Sequence, residues 1–238
     1  MIELLTADTP NGKKISIMLE EIGFKYKVTK INLYKDEQFK PEFRKISPFS
    51  KIPVIIDHNN NKESVFESGA ILIYLGEQSN KFYDKKERLR INQWLMAQMG
   101  YVGPLIGQHH QFHHYNPGKS KFGEERYFKI TKKIYEDLDE RLEKSKFLAS
   151  DNYTIADIAT WPWIARHEWN DIGLKNFKNL TRWYLDIATW PWIARHEWHD
   201  IGLKDFKNLT RWYLEISKRK AVIKGFDFMN RGEVIPIP

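Results

Sequence analysis

Apolar positions in the first part of the chain switch between strand and helix spacing. Ile2, Leu4 and Leu5 form a short apolar run that reads as a buried strand. Residues 6–12 are rich in turn formers, and Ile15, Met18, Leu19 and Ile22 then recur at i, i+3, i+4, i+7. That spacing predicts an amphipathic helix, stopped by Gly23. A second strand is expected over residues 26–33, with Tyr26, Val28, Ile31 and Leu33 apolar, and a short helix over 41–44. Pro53 heads the apolar run Val54, Ile55, Ile56; a proline cannot donate to a ladder, so it reads as the start of a strand. Asn59, Asn60 and Asn61 are turn chemistry, and residues 64–67 read as the return strand of a β-hairpin. Ser68 is placed to cap a helix with Ile71, Leu72 and Leu75 on its apolar face. The order β-α-β-α-β-β-α is that of a thioredoxin-like α/β domain over residues 1–80.

A polar linker leads to residue 86, after which only helical spacing recurs. Leu89, Trp94, Leu95, Met99 and Val102 mark one helix, expected to end at Gly107 and the histidine-rich run behind it. Tyr127, Ile130, Ile134, Leu138 and Leu142 stripe another over 124–144. Thr154 caps a third, with Asp157 reaching back as in a capping box. Residues 86–238 are therefore expected to form an all-α domain.

With 42% hydrophobic and 29% charged residues, the 238-residue chain suits one or two globular domains with a packed core. It contains no cysteine, which excludes disulfide scaffolding, thiolate metal sites and a cysteine nucleophile. Any thiol chemistry has to arrive with a ligand. The net charge of +7 is spread along the chain without a nucleic-acid motif, so a solvated basic surface is expected and no nucleic-acid partner. No apolar run reaches membrane-spanning length and residues 1–5 do not form a signal peptide, so a soluble cytoplasmic protein without membrane contact is expected. His109, His110, His113 and His114 invite a metal reading, since i, i+4 imidazoles can share an ion. No carboxylate lies among them, and no metal is expected.

Residues 157–185 recur almost unchanged as 186–214, with Asn170 replaced by His199 and Asn176 by Asp205. Two copies of a 29-residue unit are too few for a solenoid, so the repeat reads as a tandem insertion in the helical domain. Each copy carries a His-Glu-Trp run that lacks the final histidine of a zinc-protease helix, and that reading is rejected. The first copy has the proper helix start at Thr154, and the second runs directly into Glu215. The surplus is therefore expected to leave the core near Asp171 and re-enter near Asp200.

At its glutamate–serine junction the chain resembles a known family. The Ile52-Pro53 hairpin followed by Glu67, Ser68, Gly69, Ala70 and Ile71 resembles the glutathione site of the glutathione S-transferase superfamily. The resemblance implies that Pro53 is cis, that the Ile52 backbone pairs with the cysteinyl part of glutathione, and that Glu67 and Ser68 hold its γ-glutamyl end. A hairpin packed on a capped helix explains the same residues without a ligand. No tyrosine occurs in residues 1–25, and Thr9-Pro10-Asn11-Gly12 resembles instead the bacterial nu-class glutathione-dependent disulfide-bond oxidoreductases. On that resemblance Thr9 and Asn11 contact the glutathione sulfur, and Gln38 and Lys51 contact glutathione too. The resemblance also implies that Arg126 reaches glutathione in a neighbouring subunit, and hence a homodimer. Locally Thr9 also reads as an ordinary cap, and Arg126 as a solvated helix charge.

The implied function is reduction of a small disulfide, or conjugation to an electrophile, by an activated glutathione thiolate. The resemblance implies glutathione as cosubstrate. The alternative is a non-catalytic glutathione-transferase-like module for regulation or interaction.

Overall fold

A computed structural model describes residues 1–188. Residues 1–183 form one compact unit, and a second unit opens at Tyr184. The compact unit begins β1 (Ile2–Thr6), α1 (Pro10–Ile22), β2 (Tyr26–Lys30), α2 (Pro41–Ile46), β3 (Val54–Asp57), β4 (Glu63–Phe66) and α3 (Ser68–Ser79). The sheet order is β2-β1-β3-β4. β1 and β2 are parallel, with Ile2 opposite Tyr26, and a parallel pair requires a crossover, which α1 supplies. β3 runs antiparallel to β1, from Leu5 opposite Val54, and antiparallel to β4.

The apolar stripe of α1 is buried as its spacing predicts. Ile15, Met18, Leu19 and Ile22 pack with Leu4, Ile55, Ile71, Leu72 and Leu75, at about 1.5–3 kcal/mol for each large side chain taken from water. The same cluster continues into Ile91, Leu95, Ile155 and Ile158 of the helical part. α1 stops at Gly23, which is left-handed at φ 75°. A second cluster, Leu5, Phe43 and Val54, packs with Ile46 and Ile52.

The second strand stops at Lys30 rather than running to residue 33. Thr6 is the last residue of β1 and pairs with Lys30, so the ladder ends there. Asn32 then accepts from the backbone N–H groups of Tyr34 and Lys35 and turns the chain instead.

The helical part begins with α4 (Arg88–Ala97). The helix expected to end at Gly107 continues through two wide π turns, at Gln98–Val102 and His110–Tyr115, on either side of α5 (Gly103–His109). Pro104 lacks an N–H, and the ladder just before it widens so that Gly103 N–H bonds Gln98 C=O. α6 (Lys121–Glu143) buries Ile134, Tyr135, Leu138 and Leu142.

α7 (Ile155–Ile164) starts at the expected capping box. Asp157 accepts from Thr154 N at 3.0 Å, Leu148 N at 2.9 Å and Trp183 Nε1 at 2.9 Å. Burial pushes its carboxyl up against these bonds.

The expected exit from the core near Asp171 is overturned. Asp171 and Gly173 do make the turn, at φ 50° and 67°, but the chain beyond stays in the core. Leu174, Phe177 and Leu180 are buried, and Trp183 is 0% exposed on α8 (Lys178–Ala188). The reason is Asp157: a fully buried carboxylate takes the indole N–H of the first copy, Trp183, and Asp139 caps the start of that helix at Asn179 N and Leu180 N. The second copy lies almost wholly outside the described residues.

Candidate functional site

Three chain segments carry the expected site residues: the turn into α1, the turn into β3, and the junction of β4 with α3. Thr9 is the N-cap of α1, its Oγ1 accepting from Gly12 N at 3.1 Å. The side chain therefore has a structural role as a cap, and its hydroxyl proton remains to be donated outward. Gly12 is forced here, because a Cβ would meet Thr6 Oγ1 and the Ala7 carbonyl. Asn11, half-buried at the second position of α1, accepts from Trp163 Nε1 at 3.3 Å through its Oδ1. With that oxygen occupied, the amide retains its two N–H donors. Two side chains that keep hydrogen-bond donors thus stand at the positive end of a 13-residue helix, where an anionic ligand group is favoured.

Trp163 is itself held. It stacks on His110 with ring centroids 6.0 Å apart and packs against Gly103 and Gly107 of α5. His109 and His110 are buried, and burial holds both down to about 4, so they are neutral aromatic packing at neutral pH. Trp169 extends the layer, stacked on His114 at 4.2 Å and lying under the Arg166 guanidinium at 4.1 Å. No group of three or more His, Cys, Asp or Glu side chains placed to hold a metal ion occurs among the described residues.

The Ile52–Pro53 bond is cis, as the resemblance implies. The turn before it is tied by Ser47, whose Oγ accepts from Lys51 N at 3.0 Å and donates to Lys51 O at 2.7 Å. The β1–β3 ladder ends at Leu5 and Val54, so the Ile52 backbone stands beyond it. The Lys51 side chain is exposed. Gln38 is buried in the turn ahead of α2, and its Oε1 has no partner, a buried acceptor that a ligand donor would satisfy.

At the third segment Glu67 holds φ 68°, ψ 118°, an uncommon conformation for a residue with a side chain. Such strain concentrates where a junction is set for a ligand. Glu67, not Ser68, occupies the cap position of α3, and no side chain caps that end. Ser68 is buried as the first helical residue, and the expected capping role of its hydroxyl is corrected. Its Oγ accepts from Lys14 Nζ at 3.2 Å and donates to Met99 Sδ at 3.6 Å. Lys14, one turn after Asn11, is pulled down to about 7 by burial, against the opposing pull of Glu67. Sequence spacing gives no sign of it, because a lysine among helix residues reads as solvated.

Arg126 lies exposed on α6, and no contact joins it to the other expected residues among those described. The structure thus brings Asn11, Lys14 and Ser68 into one neighbourhood linked to the helical part by Trp163, Gln98 and Met99.

Two family models match the chain, the N-terminal domain of glutathione S-transferase over residues 3–77 and its C-terminal domain over 119–191. The disulfide-bond oxidoreductase YfcG of Escherichia coli is 43% identical over 190 residues, 77% of this chain and 88% of that protein. A glutathione transferase from Burkholderia graminis, solved with two glutathione molecules per subunit, is 32% identical with a TM-score of 0.73, covering 97% of this chain and 89% of its own. One from Pseudomonas putida, solved with one glutathione disulfide per subunit, is 33% identical with a TM-score of 0.67, covering 95% and 90%.

Proposed function

As the chain belongs to the glutathione S-transferase family, we propose that it reduces small disulfides with glutathione. The observation that carries this is the placing of Thr9 and Asn11, each with its side-chain oxygen already accepting a hydrogen bond, at the start of α1 in a chain without cysteine. A protein with no thiol of its own has to work on the thiol of its ligand.

Glutathione lies with its γ-glutamyl end against Glu67 and Ser68 and its cysteinyl backbone against Ile52, beside cis Pro53. Gln38 and Lys51 complete the contacts. Thr9 and Asn11 donate to the sulfur, and the helix start favours its anionic form. The thiolate attacks one sulfur of the substrate disulfide, forming a mixed disulfide and expelling the other half as a thiolate that takes up a proton. A second glutathione thiolate attacks the glutathionyl sulfur of that mixed disulfide. The products are glutathione disulfide and the second substrate thiol, so two glutathiones supply the two electrons. Conjugation to an electrophile uses the same thiolate and is a secondary activity of the same site.

In this reading residues 1–80 form the glutathione-binding domain and 86–238 the helical domain. The active unit is a homodimer in which Arg126 reaches the glutathione of the partner subunit. The compartment is the cytoplasm, where glutathione is kept reduced. A coupled assay with 2-hydroxyethyl disulfide and glutathione, run beside a chlorodinitrobenzene conjugation assay, tests the function. Disulfide turnover well above conjugation is expected. No disulfide turnover with intact glutathione binding would favour a binding module instead.

A further inference from the structure

Lys14 is 1% exposed, and no other lysine among the described residues is buried. Its Nζ lies 2.7 Å from Gln98 Oε1, 3.2 Å from Ser68 Oγ and 3.9 Å from Met99 Sδ. All three are uncharged acceptors. The opposite charge that acts on it, Glu67, stands exposed at the start of α3. Two other elements pack on α1, and their acidic groups are engaged elsewhere. Asp157 of α7 is held by Leu148, Thr154 and Trp183, and Glu3 of β1 by Thr29, Lys27 and His58. A buried ammonium without a paired anion is strongly unfavourable. The charge is unbalanced in the protein alone.

The π turn at Gln98–Val102 swings Gln98 and Met99 onto this lysine, and α3 brings Ser68 from the other side. Because Lys14 donates to the Ser68 oxygen, the seryl proton has to be donated elsewhere. It goes to Met99 Sδ at 3.6 Å, a poor acceptor. A carboxylate set at the free N-terminus of α3 is a far better one. The γ-glutamyl end of glutathione carries a carboxylate and an ammonium, and the site offers Lys14, Ser68 and a helix start for the first and Glu67 for the second.

We propose that Lys14 is a positioning residue: acting through Ser68, it aims the seryl O–H and supplies the buried positive charge that selects ligands bearing the glutamyl carboxylate. The inference rests on the reading that glutathione lies against Glu67 and Ser68. It has a consequence that purely structural burial would not. Burial pulls the free lysine down to about 7, and an adjacent carboxylate raises it again. Binding therefore takes up a proton, and affinity falls as pH rises above 7.

The test is calorimetry of the full chain with S-methylglutathione, which has no titrating thiol, between about pH 6 and pH 8.5 in buffers of different ionisation enthalpy. Wild type is expected to take up a proton on binding near neutral pH, and its Kd should approach a tenfold rise per pH unit in the alkaline part of the range. Lys14→Met should bind at least about tenfold more weakly at pH 6.5 with a flat pH profile. It should also lose wild-type preference for S-methylglutathione over the analogue with that carboxylate amidated. In turnover its KM for glutathione should rise far more than kcat falls. If Lys14→Met does not fold, proton uptake and the pH profile of wild type decide alone. Wild-type binding without proton uptake and independent of pH would overturn the Lys14 role while leaving the glutathione reading intact. Absence of any wild-type binding would overturn both.

Discussion

Trp163 donates its indole N–H to Asn11 Oδ1 at 3.3 Å, across 152 residues of sequence. The bond fixes which face of the Asn11 amide is turned outward. In the proposed reading, with Oδ1 occupied the amide keeps its N–H donors for the glutathione sulfur, whereas a free amide would present either end. Trp163 sits in turn against His110 and the two glycines of α5. The helical part therefore holds the start of α1 in register.

Trp163→Phe keeps the ring and deletes the donor. The expected result is a fall in kcat of about 2- to 12-fold, the range of one neutral hydrogen bond, with glutathione affinity nearly unchanged. Steady-state kinetics of disulfide reduction beside calorimetric binding makes the comparison. An unaltered kcat would mean that Asn11 needs no orientation.

Asn11→Ala and Thr9→Ala should both lower turnover more than they weaken glutathione binding, because the proposed role of both is to donate to a charge that matters in the reacting state. Losing one charge-assisted bond costs about 1.5–3 kcal/mol. Thr9→Ala also removes the cap on Gly12 N and should lower unfolding stability by about 1 kcal/mol, whereas Thr9→Ser should retain both roles. Denaturant melts run with the kinetics separate the two effects.

Ser68→Ala is expected to raise the glutathione KM with a smaller change in kcat. The seryl oxygen also satisfies one of three donors on Lys14, so the variant should lose stability, which plain removal of an exposed hydroxyl would not cause. Equal affinity for glutathione by calorimetry would reduce Ser68 to packing.

Much of the fold was legible because it follows from apolar spacing. The stripe Ile15, Met18, Leu19, Ile22, the hairpin at Pro53 and the Thr154–Asp157 box all stand where their local chemistry puts them. Three features escaped, each for a long-range reason. Ser68 has the spacing of a cap, yet a lysine 54 residues away takes its oxygen. The π turns arise from a register change at Pro104 that periodicity does not encode. The path of the repeat is not readable from spacing, because both copies carry the same residues; in the structure it is Trp183 of the first copy that meets Asp157. The expected site residues Thr9, Asn11, Ile52, Glu67 and Ser68 come from resemblance, whereas the contacts that Trp163 and Lys14 make with Asn11 and Ser68 have no signal in the spacing.

The unliganded protein should show a pH signature of the buried lysine. The folded-state value is depressed to about 7 from 10.5, so above pH 7 the unfolded chain binds a proton that the folded chain does not. Folding stability therefore rises with pH from about 7 towards 10.5 through this group. Relative to Lys14→Met, wild-type Tm should climb across that interval. A constant difference would show that Lys14 is not protonated differently in the two states.

Removing the second copy, residues 186–214, joins Leu185 to Glu215 and keeps the copy that fills the core. Folding and glutathione binding should survive, since Leu174, Phe177, Leu180 and Trp183 all belong to the first copy. Deleting 172–200 instead yields the same chain with aspartate in place of Asn176, so it should fold alike. An insoluble or unfolded 186–214 deletion would contradict the observed packing.

The most direct test is the ionisation of the bound glutathione thiol, followed by the ultraviolet absorbance of its thiolate as pH is raised. A free thiol of this type titrates near about 8.5. Bound to wild type, it should ionise well below that value, and Asn11→Ala should return it most of the way. A bound thiol that titrates like the free one, in both proteins, would contradict thiolate stabilisation by Thr9 and Asn11.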